Sequence, residues 1–239
     1  SVIIATGGKS IPKMGATGFA YSIAEQFDIK VIEPRPGLVP LTYEAVMMEQ
    51  LKPLSGISVD AIVASGKTRF TEGLLFTHRG LSGPSILQIS SYWRENGEIT
   101  VDLAPGTDIA ERLIAGKASN GKQAVQTALA EHLPKRLAVA IAEEANLTRP
   151  LGDISDKVIR QLGERVNRWR VKPSGSEGYR TAEVTLGGID TAALNQKTME
   201  VKAEPGLYFI GEAVDVPGWL GGFNFQWAWS SGWSAGQAV

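Results

Sequence analysis

The chain opens SVIIATGG (residues 1–8), a run of apolar, largely β-branched residues that breaks off at two glycines. Apolar on both faces and too short for a helix, residues 2–6 read as a buried strand of a parallel sheet, with Gly7 and Gly8 as the tight turn at its carboxyl end. Near the other terminus GLYFIGE (206–212) repeats the design. Strands 2–6 and 207–211 are therefore expected to be parallel neighbours. Parallel strands need a long crossover, and the intervening chain then reads as an insertion between them.

Working outward, ATGFAYSIAEQFDIK (16–30) reads as a helix, with Thr17 as a possible N-cap and Phe19, Ile23 and Phe27 on one stripe. From about Pro34 the texture changes. VDAIVAS, TRFTEGLLFT, GEITVDLA, and later YRTAEVTL and TMEVKA, alternate with period two between Gly, Ser and Asn turns, as an antiparallel sheet or small barrel does. DIAERLIAG, KQAVQTALAEHL, KRLAVAIAEEANL and SDKVIRQLGERVNRW interrupt that pattern with helical periodicity. The expected fold class is α/β. A parallel-sheet domain from residues 1–40 and 205–239 is interrupted by an antiparallel β-barrel-like domain (41–106 and 173–204), which carries a helical subdomain (107–172).

Lys+Arg 24 against Asp+Glu 25 leaves no whole-molecule field to attract a polyanion. Nucleic acid is accordingly not favoured as a partner. Having no cysteine excludes disulfides and thiolate chemistry, and the two histidines, His78 and His132, are too few for a His-rich metal site, so no metal is expected. There is no apolar run of membrane-spanning length and no leader pattern, which points to a cytoplasmic protein with no membrane partner. The start, without Met and inside an apolar run, reads as a piece of a longer protein.

Ligands of parallel sheets bind at the carboxyl ends of the strands, where both glycine-rich turns fall. Glycine lets backbone approach a ligand closely. GWLGGFNFQWAWSSGW (218–233) adds a turn before a helix whose free N–H groups favour negative charge, together with four of the six tryptophans. Ordinary strand-to-helix turns are the alternative. In the helix, Ala228, Gly232, Ala235 and Val239 form a mostly small-residue stripe for close packing; Trp227, Trp229 and Trp233 are expected to pack against the inserted domain.

Three blocks in order, VIIATGGKSIPKMGATGFAYSIAEQFDI, FTHRGLSGPSIL and GLYFIGEAVDVPGWLGGFNFQWAWSSGWSAGQAV, closely resemble the bacterial FAD-dependent oxidoreductases grouped with aminoacetone oxidase and the BaiN-like flavoproteins. The resemblance covers nearly the whole chain but only the carboxyl-terminal portion of that family. The family's amino-terminal segment with its GxGxxG has no counterpart here. The resemblance implies that the parallel sheet is part of an FAD/NAD(P)-binding Rossmann-like domain. It further implies that Ala5, Thr6, Gly7 and Gly8 form a flavin-contacting strand end, that Gly211 and Glu212 meet the ribityl or ribose hydroxyls, and that Gly221, Gly222, Phe223 and Asn224 lie under the flavin pyrimidine edge.

It also implies that the loop holding Thr77, His78 and Ser82 approaches the flavin. His78 is then a candidate acid or base toward a small-molecule substrate, against the plainer reading of a solvated loop histidine. The expected activity is hydride transfer between FAD and a nicotinamide, NAD(P)H, or a small organic substrate. The 239 residues alone are expected to hold little FAD, to need the missing amino-terminal segment as a partner, and to self-associate through uncovered surfaces. The contrasting reading is a non-catalytic module that docks RNA or a partner protein through the basic helical insert, Arg149 to Lys172, although Glu143, Glu144, Asp153, Asp156 and Glu164 dilute its charge.

Overall fold

The computed structural model describes residues 1–147 and 149–239, which divide into two compact units, 1–40 with 176–239 and 41–175. In chain order the elements are β1 (Val2–Ile4), α1 (Phe19–Gln26), β2 (Val31–Gly37), β3 (Leu41–Thr42), α2 (Ala45–Leu51), β4 (Ser58–Ser65), β5 (Thr68–Thr77), β6 (Gly80–Ser82) and α3 (Pro84–Ser90). Then follow β7 (Ile99–Asp102), α4 (Ile109–Asn120), α5 (Val125–Leu129), α6 (Lys135–Glu144), α7 (Asp156–Asn167), β8 (Trp169–Val171), β9 (Gly175–Ser176), β10 (Val184–Ile189), β11 (Leu207–Phe209) and α8 (Phe223–Gly236).

In the first unit β1 and β11 pair in parallel, Val2 opposite Leu207 and Ile4 opposite Phe209. The two apolar strands at the chain's extremes are neighbours, as their shared design requires. Ile4, Leu207 and Phe209 share a core with Ala20, Tyr21 and Ala24 of α1. The buried face of α1 is thus not the expected stripe: Phe19 and Phe27 lie at the surface, and two alanines let the helix approach closely. Thr17 holds the helix start less directly than an N-cap; its Oγ1 accepts from Phe19 N at 3.3 Å, while Gly18 occupies the cap position.

Antiparallel to β2 runs β10, with a register shift between Leu186 and Gly188. Gly187 at φ +76° sits 2.3 Å, measured from an added Cβ, from the Glu33 carbonyl oxygen, so only glycine fits this bulge. This pairing carries residues 176–204 into the first unit. The period-two texture places 173–204 in the inserted domain, but texture does not name a strand's partner, and β10 is buried along its whole length against β2.

In the second unit seven strands form one sheet in the order β8-β7-β4-β5-β6-β3-β9. The order runs between two end strands and does not close, so the barrel-like expectation is corrected to an open sheet. Its physical basis is length: β4 and β5 have eight and ten residues, whereas β6, β3 and β9 have three, two and two. Val59, Ala61 and Val63 of β4, with Phe70, Leu74 and Phe76 of β5, turn one face into a core completed by α4–α7. The helices form where periodicity puts them. Asp108 accepts from Glu111 N at 3.0 Å and Ser155 from Val158 N at 3.4 Å, capping α4 and α7, which cross closely where Gly163 meets Ala110.

Tyr43 is 7% exposed and its hydroxyl has no hydrogen-bond partner. Burial pushes the phenol well above its ordinary range. Tyr43→Phe should therefore stabilise the chain by about 1 kcal/mol in neutral solution, since it removes a desolvated, unpaired group. The folded pKa lies above the unfolded value of about 10, so the phenol's contribution is intact below about pH 10 and is lost as pH rises beyond it. Denaturant titrations across that range should show the variant losing stability less steeply, by up to about 1.4 kcal/mol per pH unit.

Candidate functional site

The site is built in the first unit from three turns. Behind β1, Ala5 and Thr6 are exposed, Gly7 takes φ +71° and Gly8 is buried. Nothing lies within 4 Å of a Cβ added to Gly7, so that position offers open backbone. Behind β11, a 3-10 turn over Gly211–Ala213 begins with Gly211 at φ +65° and presents Glu212. Ahead of α8, Gly221 and Gly222 take φ +113° and +89°, and no chain atom lies within 4 Å of a Cβ on Gly222.

Thr185 of β10 joins the first two turns. Its Oγ1 accepts from Lys9 N at 2.8 Å and lies 3.0 Å from Ser10 Oγ, while its own N donates to Glu212 Oε1 at 2.8 Å. The sequence reading passed over Thr185. A threonine in the strand VTLGGI gives no local signal; only the coordinates show it 2% exposed between the two turns. One Glu212 oxygen is thus engaged inside the protein rather than held wholly for a ligand.

Helix α8 grips the second turn. Gly211 N donates to Ser231 Oγ at 2.9 Å, and Trp227 Nε1 donates to Gly211 O at 3.0 Å. Asn224 holds the third turn: its Oδ1 accepts from Gly218 N at 2.7 Å and its Nδ2 donates to Gly218 O at 3.0 Å. The Asn224 side chain therefore shapes the loop, and what α8 can offer a ligand is backbone N–H at its first turn, next to the open Gly222. Phe223 is 59% exposed at that helix start.

The first unit also holds unsatisfied hydroxyls, that of Tyr21 within reach of the Glu212 charge. Tyr21 Oη, Tyr179 Oη and Thr181 Oγ1 are buried and have no partner. Burial, then the charge of Glu212, then Tyr179 and Asp215, push the Tyr21 phenol far upward. Tyr179 is raised to about 12 by burial and then by Glu33. Both phenols stay protonated near neutrality and can donate. A polyhydroxylic or carbonyl-bearing ligand would satisfy such donors.

Two expectations for α8 change. Ala228 and Gly232 are half-buried and Ala235 fully buried, but Val239 is exposed and Ser231 joins the buried stripe. Trp229 and Trp233 are 72% and 69% exposed, Trp229 touching the exposed Phe225 ring at 6.4 Å, whereas Trp227 is half-buried and hydrogen-bonded to Gly211. His78 belongs to the second unit, exposed in the turn between β5 and β6, where Thr77 Oγ1 accepts from Arg79 N at 3.2 Å and Gly80 N at 3.1 Å. The structure brings Gly8, Glu212 and Gly211 together within one unit and places His78 in the other.

The family model described as "HI0933-like protein barrel and H2TH domain" matches residues 35–184, more than half of the chain. The chain belongs to the HI0933-like family. It is a family of flavoprotein-like oxidoreductases with a mixed α/β architecture. Relatives include the ribosomal RNA dihydrouridine synthases of Escherichia coli K12, 48% identical over 99% of this chain, and of Haemophilus influenzae Rd, 46% identical over all of it. The 3-dehydro-bile acid delta(4,6)-reductase of Clostridium scindens is 28% identical over the whole chain. The chain spans 60%, 60% and 61% of the lengths of these proteins. All three are named as enzymes. None is named an aminoacetone oxidase, so that part of the resemblance gives way. Among the described residues no helix is long and apolar enough to cross a membrane.

Proposed function

We propose that the whole protein is a flavin-dependent reductase that saturates a carbon–carbon double bond conjugated to a carbonyl, and that its substrate is a uridine of ribosomal RNA. The observation that carries the reading is the open glycine cradle at Gly7 and Gly222, set in the same unit as three unpartnered buried hydroxyls and Glu212. A flavin fits those donors through its ribityl hydroxyls and ring carbonyls. The β1–β11 pair is read as part of a Rossmann-like FAD-binding sheet, which the remainder of the whole protein would complete.

The relatives' names support the reaction class. Dihydrouridine is uridine saturated at C5–C6, a bond conjugated to the C4 carbonyl. A delta(4,6)-reductase acting on a 3-dehydro compound likewise works on a double bond conjugated to a ketone. Open backbone at Gly7 and Gly222 would hold the flavin, which, once reduced by NAD(P)H, would supply hydride for the β-carbon of such a system. The carbon next to the carbonyl then needs a proton, for which exposed His78 is the candidate donor. Open backbone at Gly7 and Gly222 admits the ring closely, and the N–H groups at the start of α8 stabilise charge gathering at its pyrimidine edge.

A ribosomal RNA substrate reverses the expectation drawn from net charge, which averages over a surface that is locally uneven. On α7, Arg165 pairs with Glu144 and Arg168 with Glu164, but Lys157 and Arg160 are exposed, three residues apart and without an ion pair among the described residues. These two would meet phosphate. They also keep alive the reading of a non-catalytic RNA-docking module, which one experiment separates. Whole protein with NAD(P)H is incubated with ribosomal RNA lacking the modification, and dihydrouridine is measured by mass spectrometry of digested nucleosides. Product is expected, and Lys157→Ala with Arg160→Ala should lower RNA affinity and reduce the slope of log affinity against log salt by about two. RNA binding without product, although NAD(P)H reduces the bound flavin, would overturn the substrate and leave the flavin reading standing.

A further inference from the structure

Trp169, Val101, Val63 and Phe70 stand opposite one another across β8, β7, β4 and β5, and all four are buried, which fixes the core face of the seven-stranded sheet. One residue along each strand the side chains turn to the other face. There Arg170 stands opposite Thr100, Thr100 opposite Ala64, and Ala64 opposite Arg69. Arg69 and Arg170 are exposed and have no ion pair among the described residues, and the two side chains between them are short. In the next row Asp102 is not free to neutralise them: its Oδ1 accepts from Ala104 N at 3.0 Å and from Asn167 Nδ2 at 2.9 Å. Glu98, exposed just ahead of β7, is set against two further exposed cations, Lys67 in the β4–β5 turn and Lys172 behind β8. A charge on an edge strand also blocks pairing with another chain. That accounts for Arg170, since β8 ends the sheet, but not for Arg69, whose strand is fourth in the order.

We propose that this solvent face is a second contact for ribosomal RNA, with Arg69 and Arg170 each taking a backbone phosphate; the inference rests on the RNA substrate proposed above. Strand spacing puts the two arginine Cα atoms about 14 Å apart. Between them Ala64 and Thr100 keep the surface low, so a phosphodiester strand can lie across the four β-strands and meet each guanidinium at a separate phosphate. Guanidinium suits that partner, because its planar fork matches two phosphate oxygens at once. The row lacks the exposed apolar side chains with which a protein surface enters a lipid interface. It also follows directly on α7. From Arg160 to Arg170 the chain runs seven helical steps and a short extended stretch, about 20 Å at most, so Lys157, Arg160 and the sheet row can hold one RNA.

The test titrates the whole protein with ribosomal RNA transcribed without modifications, at salt from about 50 to 200 mM. Arg69→Ala with Arg170→Ala should reduce the slope of log affinity against log salt by about 1.4 if the phosphates belong to a single strand, and by about 1.8 if they belong to a duplex. Arg69→Lys with Arg170→Lys keeps both charges and should restore the slope. Lys197→Ala with Lys202→Ala removes the same charge from exposed positions of the other unit and should leave the slope as it is. An unchanged slope in the double arginine-to-alanine variant overturns the sheet contact, and dihydrouridine still formed by that variant would leave the RNA substrate standing. An equal drop in the Lys197 and Lys202 variant would reduce the row to net charge and overturn it likewise. Wild-type protein that holds phosphatidylglycerol vesicles through these arginines but no RNA would overturn both the contact and the substrate.

Discussion

Gly8→Ala is expected to destabilise the unit of residues 1–40 and 176–239 by roughly 3–5 kcal/mol, while alanine at adjacent Gly7 should cost about 1–2 kcal/mol. The two glycines exist for different reasons. Gly7 takes φ +71° in open space, so a side chain there suffers only the strain of the left-handed region. Gly8 has no such φ, but a Cβ would stand 2.4 Å from Thr185 Oγ1, 2.5 Å from Glu212 Oε1 and 2.6 Å from Thr185 Cβ. The last of these is no flexible tip. Moving Thr185 breaks the bonds from Lys9 N and Ser10 Oγ and pulls its N–H from Glu212, three interactions worth about 1–1.5 kcal/mol each when buried. Hydrogen exchange of β10 and β11 amides reads the effect locally, which matters because the two units need not unfold together. Equal losses at Gly7 and Gly8 would show that the Thr185 junction contributes nothing.

The contrast also explains how far the sequence could be read. Strand pairing between residues 2–4 and 207–209 was legible because an apolar run ending in glycine is a local signal, and two alike imply one sheet. The helices within 107–170 were legible for the same reason, since periodicity and the Asp108 and Ser155 caps are local. What was not legible depended on partners distant in sequence. Strand β10 alternates like its neighbours in the chain, yet pairs with β2 some 150 residues away. Thr185 looks like a strand threonine until Glu212 and Lys9 are beside it. Asn224 fits a cofactor-facing turn by type, but its amide closes the loop instead, because Gly218 lies six residues back with both backbone groups in reach. Composition could suggest that Trp229 and Trp233 pack, but only coordinates show that the helix buries its serine and alanines and leaves those rings outside.

Gly222→Asn should leave the whole protein folded and take away most of its flavin. Gly222 caps α8 at φ +89°, and a Cβ there meets no atom of the chain within 4 Å. Any penalty from contact must therefore come from a ligand, and any penalty within the protein from backbone strain alone. Asparagine separates the two, because it tolerates positive φ far better than branched residues and costs little in stability, while its side chain occupies the space over the turn. Valine adds the strain of a β-branched residue at positive φ, roughly 1–3 kcal/mol, and threatens the first turn of α8 as well. The expected order of flavin retained after gel filtration, read from visible absorbance per protein, is wild type, then a loss of at least about tenfold in affinity for Asn, then none for Val. Thermal unfolding should place Asn within a few degrees of wild type and Val lower. A yellow Gly222→Asn protein would mean that the ring does not lie against this turn. The cradle would then have to be sought at Gly7, whose open backbone at the end of β1 also meets nothing of the chain.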